Sequence, residues 1–526
     1  MSSLTPSIDS SRDVPERAFS AALVFLIAFV WLAVLAGLRP LALPDEGRYV
    51  GVALEMLRSG DWLTPTLNGL PFFHKPPLFY WLTAASLHLF GMSEWASRCA
   101  SIAAASWVVA LLYSSVREWL GVRLAGMVAL VLVTQPLFFG ASQFANLDML
   151  VAGCISSSIL FGARAAMHWE ASAPHRRDLA AAYAAAAFGV LAKGLIGAVL
   201  PLLVLGTWLV LRRRWRTMYA MCWLPGIALF LVVVAPWCVA MEVIHPGFFH
   251  YFFVVQHVQR FAGSGFNNAQ PVWFYVPVLT LLLFPWSAWL LPNLRRANTL
   301  TTARVDVLWL MCSWLGVVII FFSIPESKLV GYVLPSLPPL AVVMAMTASG
   351  LIDKSTRALR LWKLSIGVAA AMCIAGIVAL TIWGTSSSRG VAAELTRLRV
   401  PTDGLAMIDH YDYDLPFYLR DAAPTVVVSN WDAAEIEKKD NWRKELFEAG
   451  AFAPALAARL LVGPAQFKAL MCTGRIKWVV ATVAEARPYP VLVPTGASPP
   501  PAHEPVVWRV QLPATGSVSA SICDRG

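Results

Sequence analysis

Apolar residues run along the first 388 positions in long uncharged windows of bilayer length. They lie at 19–38, 99–116, 124–147, 194–211, 217–241, 261–294, 307–325, 329–352 and 364–388. About 20 apolar residues in a helix cross a hydrocarbon core, so each window predicts a span. Two shorter windows, 149–163 and 179–192, are extended by flanking residues that can snorkel. The window 76–93 opens Pro-Pro and is expected to lie at the interface or re-enter. The polar start MSSLTPSIDSSRDVPER is not a signal peptide, and Phe19–Leu38 lacks the usual cleavage site, so it reads as a retained first span. After 388 the pattern shortens to apolar runs at Leu405–Ile408 and Thr425–Val428, a charged helical stretch at 432–449, a helix near 465–472 and a run Lys477–Val483. That alternation predicts a small α/β domain, with 487–505 irregular because it is Pro-rich.

Composition narrows the class. Of 526 residues, 58% are hydrophobic and only 14% charged, with a mean hydropathy of +0.62. Soluble chains carry about 25% charged residues, so a soluble enzyme and a disordered chain are both excluded. The net charge is +10, with no basic stripe interleaved with aromatics that would indicate nucleic acid.

The basic residues instead mark orientation. With the N-terminus inside, five loops predicted inside carry 16 Lys and Arg, from Arg117 and Arg123 to Arg360 and Lys363. This gives about 11 spans, or about 13 if a pair is added, with outside loops at 39–92 and 241–270. The expected division is a spanning domain over 1–388 and an outside α/β domain over 389–526. Six cysteines sit in apolar stretches, while Cys472 and Cys523 lie in the tail and could pair in an oxidising compartment. No internal repeat occurs, which weakens a transporter or flippase of lipid-linked sugars.

Several charged residues collect on the predicted outside. They are Asp45 and Glu46, Lys75, Asp148, His257 and Arg260, and Glu326 and Lys328 with Tyr332 nearby. Singly, each is a solvated span end or a snorkelling cation. Together, a carboxylate and several cations at a lipid interface suit a substrate with a phosphate head and an apolar tail. The helix near 46–59 has apolar residues at helical spacing and is expected on the membrane surface, carrying Arg48 and Tyr49 towards such a substrate. Lys193 in LAKG reads equally as a turn anchor or a phosphate ligand.

The stretch LPDEGRYVGVALEMLRSGDWLTPTLNGLPFFHKPPLFYWL, Leu43 to Leu82, resembles the first outside loop of bacterial GT-C glycosyltransferases that use a lipid carrier. These are related to the aminoarabinose transferase of lipid A and, more distantly, to protein O-mannosyltransferases. GMSEWASRCASIAAA, VLAKGLIG, HVQRF and SKLVGYVLPSLPPLA resemble later motifs of that family in the same order, so the likeness covers about residues 19–350.

The resemblance implies a GT-C fold. An outside cavity would take a sugar from polyprenyl phosphate, commonly undecaprenyl phosphate, and pass it with inversion to lipid A or another envelope acceptor. A protein-glycosylating enzyme is the nearest alternative. It further implies Asp45 as the catalytic acid residue and Asp148 as a second acid facing the cavity. Lys75 of KPP and Arg260 would hold phosphate, and Tyr332, after Ser327-Lys328, would hydrogen-bond it. The residue before KPP, often acidic in the family, is His74 here. With His257 it offers two nitrogens to a divalent metal; otherwise both are interfacial aromatics or hydrogen-bond Asp45. The setting implied is a bacterial inner membrane with site and tail in the periplasm.

Overall fold

The apolar windows are helical in the computed structural model, which describes residues 19–259, 268–293, 302–384, 386–420, 423–436, 441–496 and 504–512. The first span is α1 (Ala21–Ala33), capped by Ser20. The loop after it holds α2 (Asp45–Ser59), a hairpin of β1 (Thr66–Leu67) and β2 (Leu70–Pro71), and α3 (Leu78–Phe90). Then come α4 (Glu94–Leu120), α5 (Val122–Val133), α6 (Pro136–Ser142), α7 (Leu147–Glu170), α8 (Arg176–Lys193), α9 (Ile196–Leu211), α10 (Trp215–Met221) and α11 (Leu224–Ile244). A π-helical segment, His250–Gln259, leads towards α12 (Tyr275–Leu282) and a 3-10 turn, Trp286–Asn293. After α13 (Thr302–Ser323), a 3-10 turn (Val330–Ser336) runs into α14 (Leu337–Ile352), and α15 (Thr356–Ile382) follows.

Among the described residues six helices are long and apolar enough to cross a membrane, or seven if α5 and α6 form one broken span. Fewer windows pass than the sequence predicts, for local reasons. Pro136 lacks an N–H, and α5 and α6 meet there at a 64° bend. The Thr134 carbonyl freed at that break accepts from Cys373 Sγ at 3.5 Å, and Thr134 Oγ1 accepts from Trp286 Nε1 at 3.1 Å. The window 261–294 is interrupted in its described part, and α1, α3 and α9 are apolar but shorter than 18 residues. The chain is a multi-pass membrane protein.

Ion pairs sort the loops into two ends. Arg123 meets Asp353, Arg164 meets Glu118, Arg212 meets Asp306, and Arg214 meets both Glu170 and Asp306. All belong to the loops grouped on one side by charge alone.

The tail packs at the other end. It comprises α16 (Arg389–Leu398), β3 (Gly404–Ile408), α17 (Leu415–Leu419), β4 (Val426–Val428), α18 (Ala433–Ile436), α19 (Trp442–Ala451), α20 (Pro454–Leu460), β5 (Leu461–Val462), α21 (Pro464–Cys472), β6 (Ile476–Ala481), α22 (Val483–Ala486), β7 (Leu492–Pro494) and β8 (Val506–Val510). The sheet order is β5-β4-β3-β6-β8-β7, with its first four strands parallel. The last two pairings are antiparallel. The Pro-rich stretch expected to be irregular thus supplies β7, at the sheet edge where a proline is tolerated.

Strand alternation gives the sheet two apolar faces. Ala406, Ile408, Val428 and Val479 pack on Phe467 and Met471 of α21. Leu405, Met407, Val427 and Val480 join the same core as α2 and the spanning helices. That sharing corrects the placement of α2. It is covered rather than lying on a membrane surface, and Val50, Val52, Ala53, Leu54 and Met56 are fully buried.

Candidate functional site

The site is organised by the first turn of α2, where Asp45 and Glu46 sit at the positive end of the helix dipole. Glu46 turns inward and is 0% exposed. Arg98 of α4 donates to it from Nε at 2.8 Å and Nη2 at 2.9 Å, and Arg39 adds 3.2 Å from Nη2 and a pair through Nη1. The backbone N–H groups of Ala42 and Ala145 complete the ring at 2.9 and 2.8 Å. Burial alone would raise this carboxyl, but Arg98 and then Arg39 overcome it and hold it down from 4.5 to about 2. Ala145 leads directly into α7, where the Asn146 side chain caps Asp148 N–H. One buried carboxylate therefore fixes both segments that carry the candidate acids.

Asp45 faces the other way and is 40% exposed. One turn on, Arg48 pairs with it, and also with Glu445 of α19. Tyr49 follows, with the Arg48 guanidinium 5.0 Å from its ring centre. Burial pushes the Tyr49 hydroxyl up to about 12, Arg48 opposing and Asp45 and Asp148 adding to it, so it stays a neutral donor at physiological pH. Asp148 and Lys193 also act on the Tyr49 hydroxyl through their charges.

Asp148 pairs with Lys193 at the end of α8. Lys193 Nζ lies 4.5 Å from the Tyr332 ring centre, a cation–π contact. The approach of the 3-10 turn is tight enough that a Cβ on Gly331 would sit 2.3 Å from Asp148 Oδ2. Glycine is required there for Asp148 to keep its place beside Lys193.

Asp45, Arg48, Tyr49, Asp148, Lys193 and Tyr332 thus converge from four separated stretches. Lys75 stands half-buried between the hairpin and α3. Arg260 and the side chain of His257 lie outside the described residues.

Two expected site residues are engaged elsewhere. Lys328 is buried and donates to the carbonyls of Gln270 and Pro325, at 2.9 and 2.5 Å, which tethers two loops together. His74 Nε2 is 3.3 Å from Glu448 Oε2 of α19, close enough to pair though not aligned as a hydrogen bond. Glu448 also accepts from Tyr251 Oη at 2.6 Å. Burial tends to raise the Glu448 carboxyl, but His74 and Tyr251 hold it below the usual range. Where the family often has an acid before KPP, this chain has a base, and the tail provides the matching acid. Among the described residues no three His, Cys, Asp or Glu side chains gather as a metal site.

Sequence reasoning named Lys193 without its partner and left out two contributors, Arg98 and Glu445. Lys193 had a visible signal, a lone cation closing an alanine-rich apolar run, but its partner was not legible. Arg98 lies within a quoted motif yet gives no sign of reaching Glu46. Glu445 sits in a helix whose charge pattern resembles a solvated surface, so nothing in the sequence points it at Arg48.

Known proteins resemble this chain in sequence and fold. Residues 74–239 match the family model described as dolichyl-phosphate-mannose-protein mannosyltransferase. An undecaprenyl phosphate-alpha-4-amino-4-deoxy-L-arabinose arabinosyl transferase of Sodalis glossinidius is 32% identical over 380 residues, covering 70% of this chain and 66% of the relative. Its counterpart in Erwinia tasmaniensis is 31% identical, covering 66% of this chain and 63% of the relative. The chain thus spans just under two thirds of the length of these relatives. The crystal structure of ArnT from Cupriavidus metallidurans bound to undecaprenyl phosphate superposes with a TM-score of 0.77 at 24% identity, over 94% of this chain and 99% of that one. An oligosaccharyltransferase of Archaeoglobus fulgidus shares the fold more loosely, with a TM-score of 0.53 at 13% identity over 88% of this chain and 69% of its own. The chain belongs to the GT-C family and resembles its aminoarabinose transferases.

Proposed function

We propose that this protein transfers 4-amino-4-deoxy-L-arabinose from undecaprenyl phosphate to lipid A or another envelope acceptor, with inversion, at the periplasmic face of a bacterial inner membrane. The observation that carries the reading is the convergence of Asp45, Arg48, Tyr49, Asp148, Lys193 and Tyr332 under the tail. The names of the relatives supply the sugar and carrier. The basic loops at the far end support the orientation. So does Cys472, which is disulfide-bonded, because such bonds persist in oxidising compartments.

The chemistry follows from charge. The acceptor oxygen attacks the anomeric carbon of the donor sugar while the carrier phosphate leaves from the opposite face. Negative charge grows on that phosphate, and Lys75 with Arg260 stabilises it. If the acceptor is a lipid A phosphate, its oxygen is already anionic and Asp45 serves to orient the donor. If it is a hydroxyl, Asp45 takes the proton. Asp148, neutralised by Lys193, keeps Lys193 and Tyr332 in register.

The test is transfer from undecaprenyl phosphate–aminoarabinose to lipid A by the purified protein, read by mass spectrometry. Wild type should add one aminoarabinose, and Asp45→Asn should add none while retaining fold and carrier binding. Near-normal transfer by Asp45→Asn would remove Asp45 from the mechanism, and an unmodified acceptor with wild type would reject the proposed substrates.

A further inference from the structure

The tail contributes a charge to the site. Arg48 is held from two directions, by Asp45 of its own helix and by Glu445 of α19. The second oxygen of Glu445 accepts from Tyr413 Oη at 2.6 Å. The Tyr413 ring centre lies 5.8 Å from the guanidinium and the Tyr49 ring centre 5.0 Å. Glu445 is 9% exposed. The segment carrying Tyr413 presses so closely on α2 that a Cβ on Gly47 would lie 2.7 Å from the Asp414 nitrogen.

Docking alone does not account for this. The sheet face bearing Leu405, Met407 and Val427 already joins the core around α2, which is sufficient to seat the tail. A buried ion pair adds little stability over an apolar contact of the same volume, because both charges lose their hydration. This pair is, moreover, aimed at the guanidinium that touches Asp45.

We propose that Glu445 is a positioning residue for sugar transfer: it shares the Arg48 guanidinium with Asp45, so that the Asp45 carboxylate keeps a face open to the substrate. Without Glu445, the full fork of Arg48 donors closes on Asp45, and a bidentate pair covers that carboxylate. The tail then completes the catalytic arrangement rather than merely covering it. This rests on the reading of Asp45 as the catalytic acid residue.

The experiment compares full-length wild type, Glu445→Gln, Tyr413→Phe and Asp45→Asn in the transfer assay with undecaprenyl phosphate–aminoarabinose. Glu445→Gln should lower kcat by roughly tenfold or more while KM stays within about twofold. Tyr413→Phe, which keeps the ring packing, should lower kcat by less, again with little change in KM. Wild-type kcat in Glu445→Gln, with Asp45→Asn inactive, would overturn the inference and leave the function standing. An active Asp45→Asn would instead remove the reading on which it rests. If Glu445→Gln fails to fold, Tyr413→Phe decides, and an unaltered kcat there overturns the inference.

Discussion

Replacing Glu46 with Gln should loosen both acids of the site at once, although Glu46 never reaches the cavity. The amide still accepts at one oxygen. Its NH₂ group, however, would face Arg39 Nη1, Arg98 Nη2 and the Ala42 N–H, donors that now meet another donor. Two buried guanidinium groups also lose their counter-charge, and breaking a buried pair on one side costs about 3–5 kcal/mol. The depression of the Glu46 carboxyl from 4.5 to about 2 gives a similar size, about 3 kcal/mol at about 1.4 kcal/mol per unit. Because the folded-state value lies below the unfolded one, this contribution is complete above pH ~4.5 and disappears as pH falls towards ~2. Thermal unfolding of the detergent-purified protein at pH 7 should show Glu46→Gln melting lower by about 3–5 °C. At pH 3 the gap from wild type should narrow. Turnover at pH 7 should fall as well, since Asp45 and the Ala145–Asp148 segment both lose their anchor. Equal melting at pH 7, or a gap that widens in acid, would refute the role assigned to this carboxylate.

Gly331→Ala should lower turnover at least tenfold without a matching loss of yield, because the new methyl would meet Asp148 2.3 Å from Oδ2 and force it from Lys193. Steady-state kinetics beside a yield comparison checks this. Lys75→Ala and Arg260→Ala should each weaken undecaprenyl phosphate binding by about tenfold or more, with a smaller loss at high salt, measured by titration in detergent. Unchanged affinity in both would remove them from the phosphate site.

Fold class and membrane character were legible because burial in lipid leaves a one-dimensional signature, the uncharged window, and because Arg and Lys in loops record sidedness. The strands β3 and β6 were legible for the same kind of reason, as short apolar runs between turns. Span ends were less so, since Pro136 breaks a window that composition alone reads as continuous. The acids of the site stood out as charges next to lipid, where a charge is expensive. Their partners did not. Lys328 looks like a phosphate ligand by position, yet backbone carbonyls of two loops use its ammonium. Glu445 and Glu448 look like surface charges because the sequence of α19 does not record that α2, the hairpin and the π-helical segment cover it. Such pairings are tertiary facts between residues up to 397 positions apart. The covered position of α2 was missed for the same reason, because an amphipathic helix reads alike whether membrane or protein hides its apolar face.

The central claim is that these charged side chains form one cavity that grips the phosphate of an isoprenoid carrier. A cryo-EM structure of the full-length protein with undecaprenyl phosphate tests it most directly. The account predicts phosphate density in contact with Lys75 and Arg260 and beside Asp45, with the isoprenoid leaving between spanning helices. Phosphate density remote from Asp45, or Lys75 and Arg260 directed into separate regions, would contradict it.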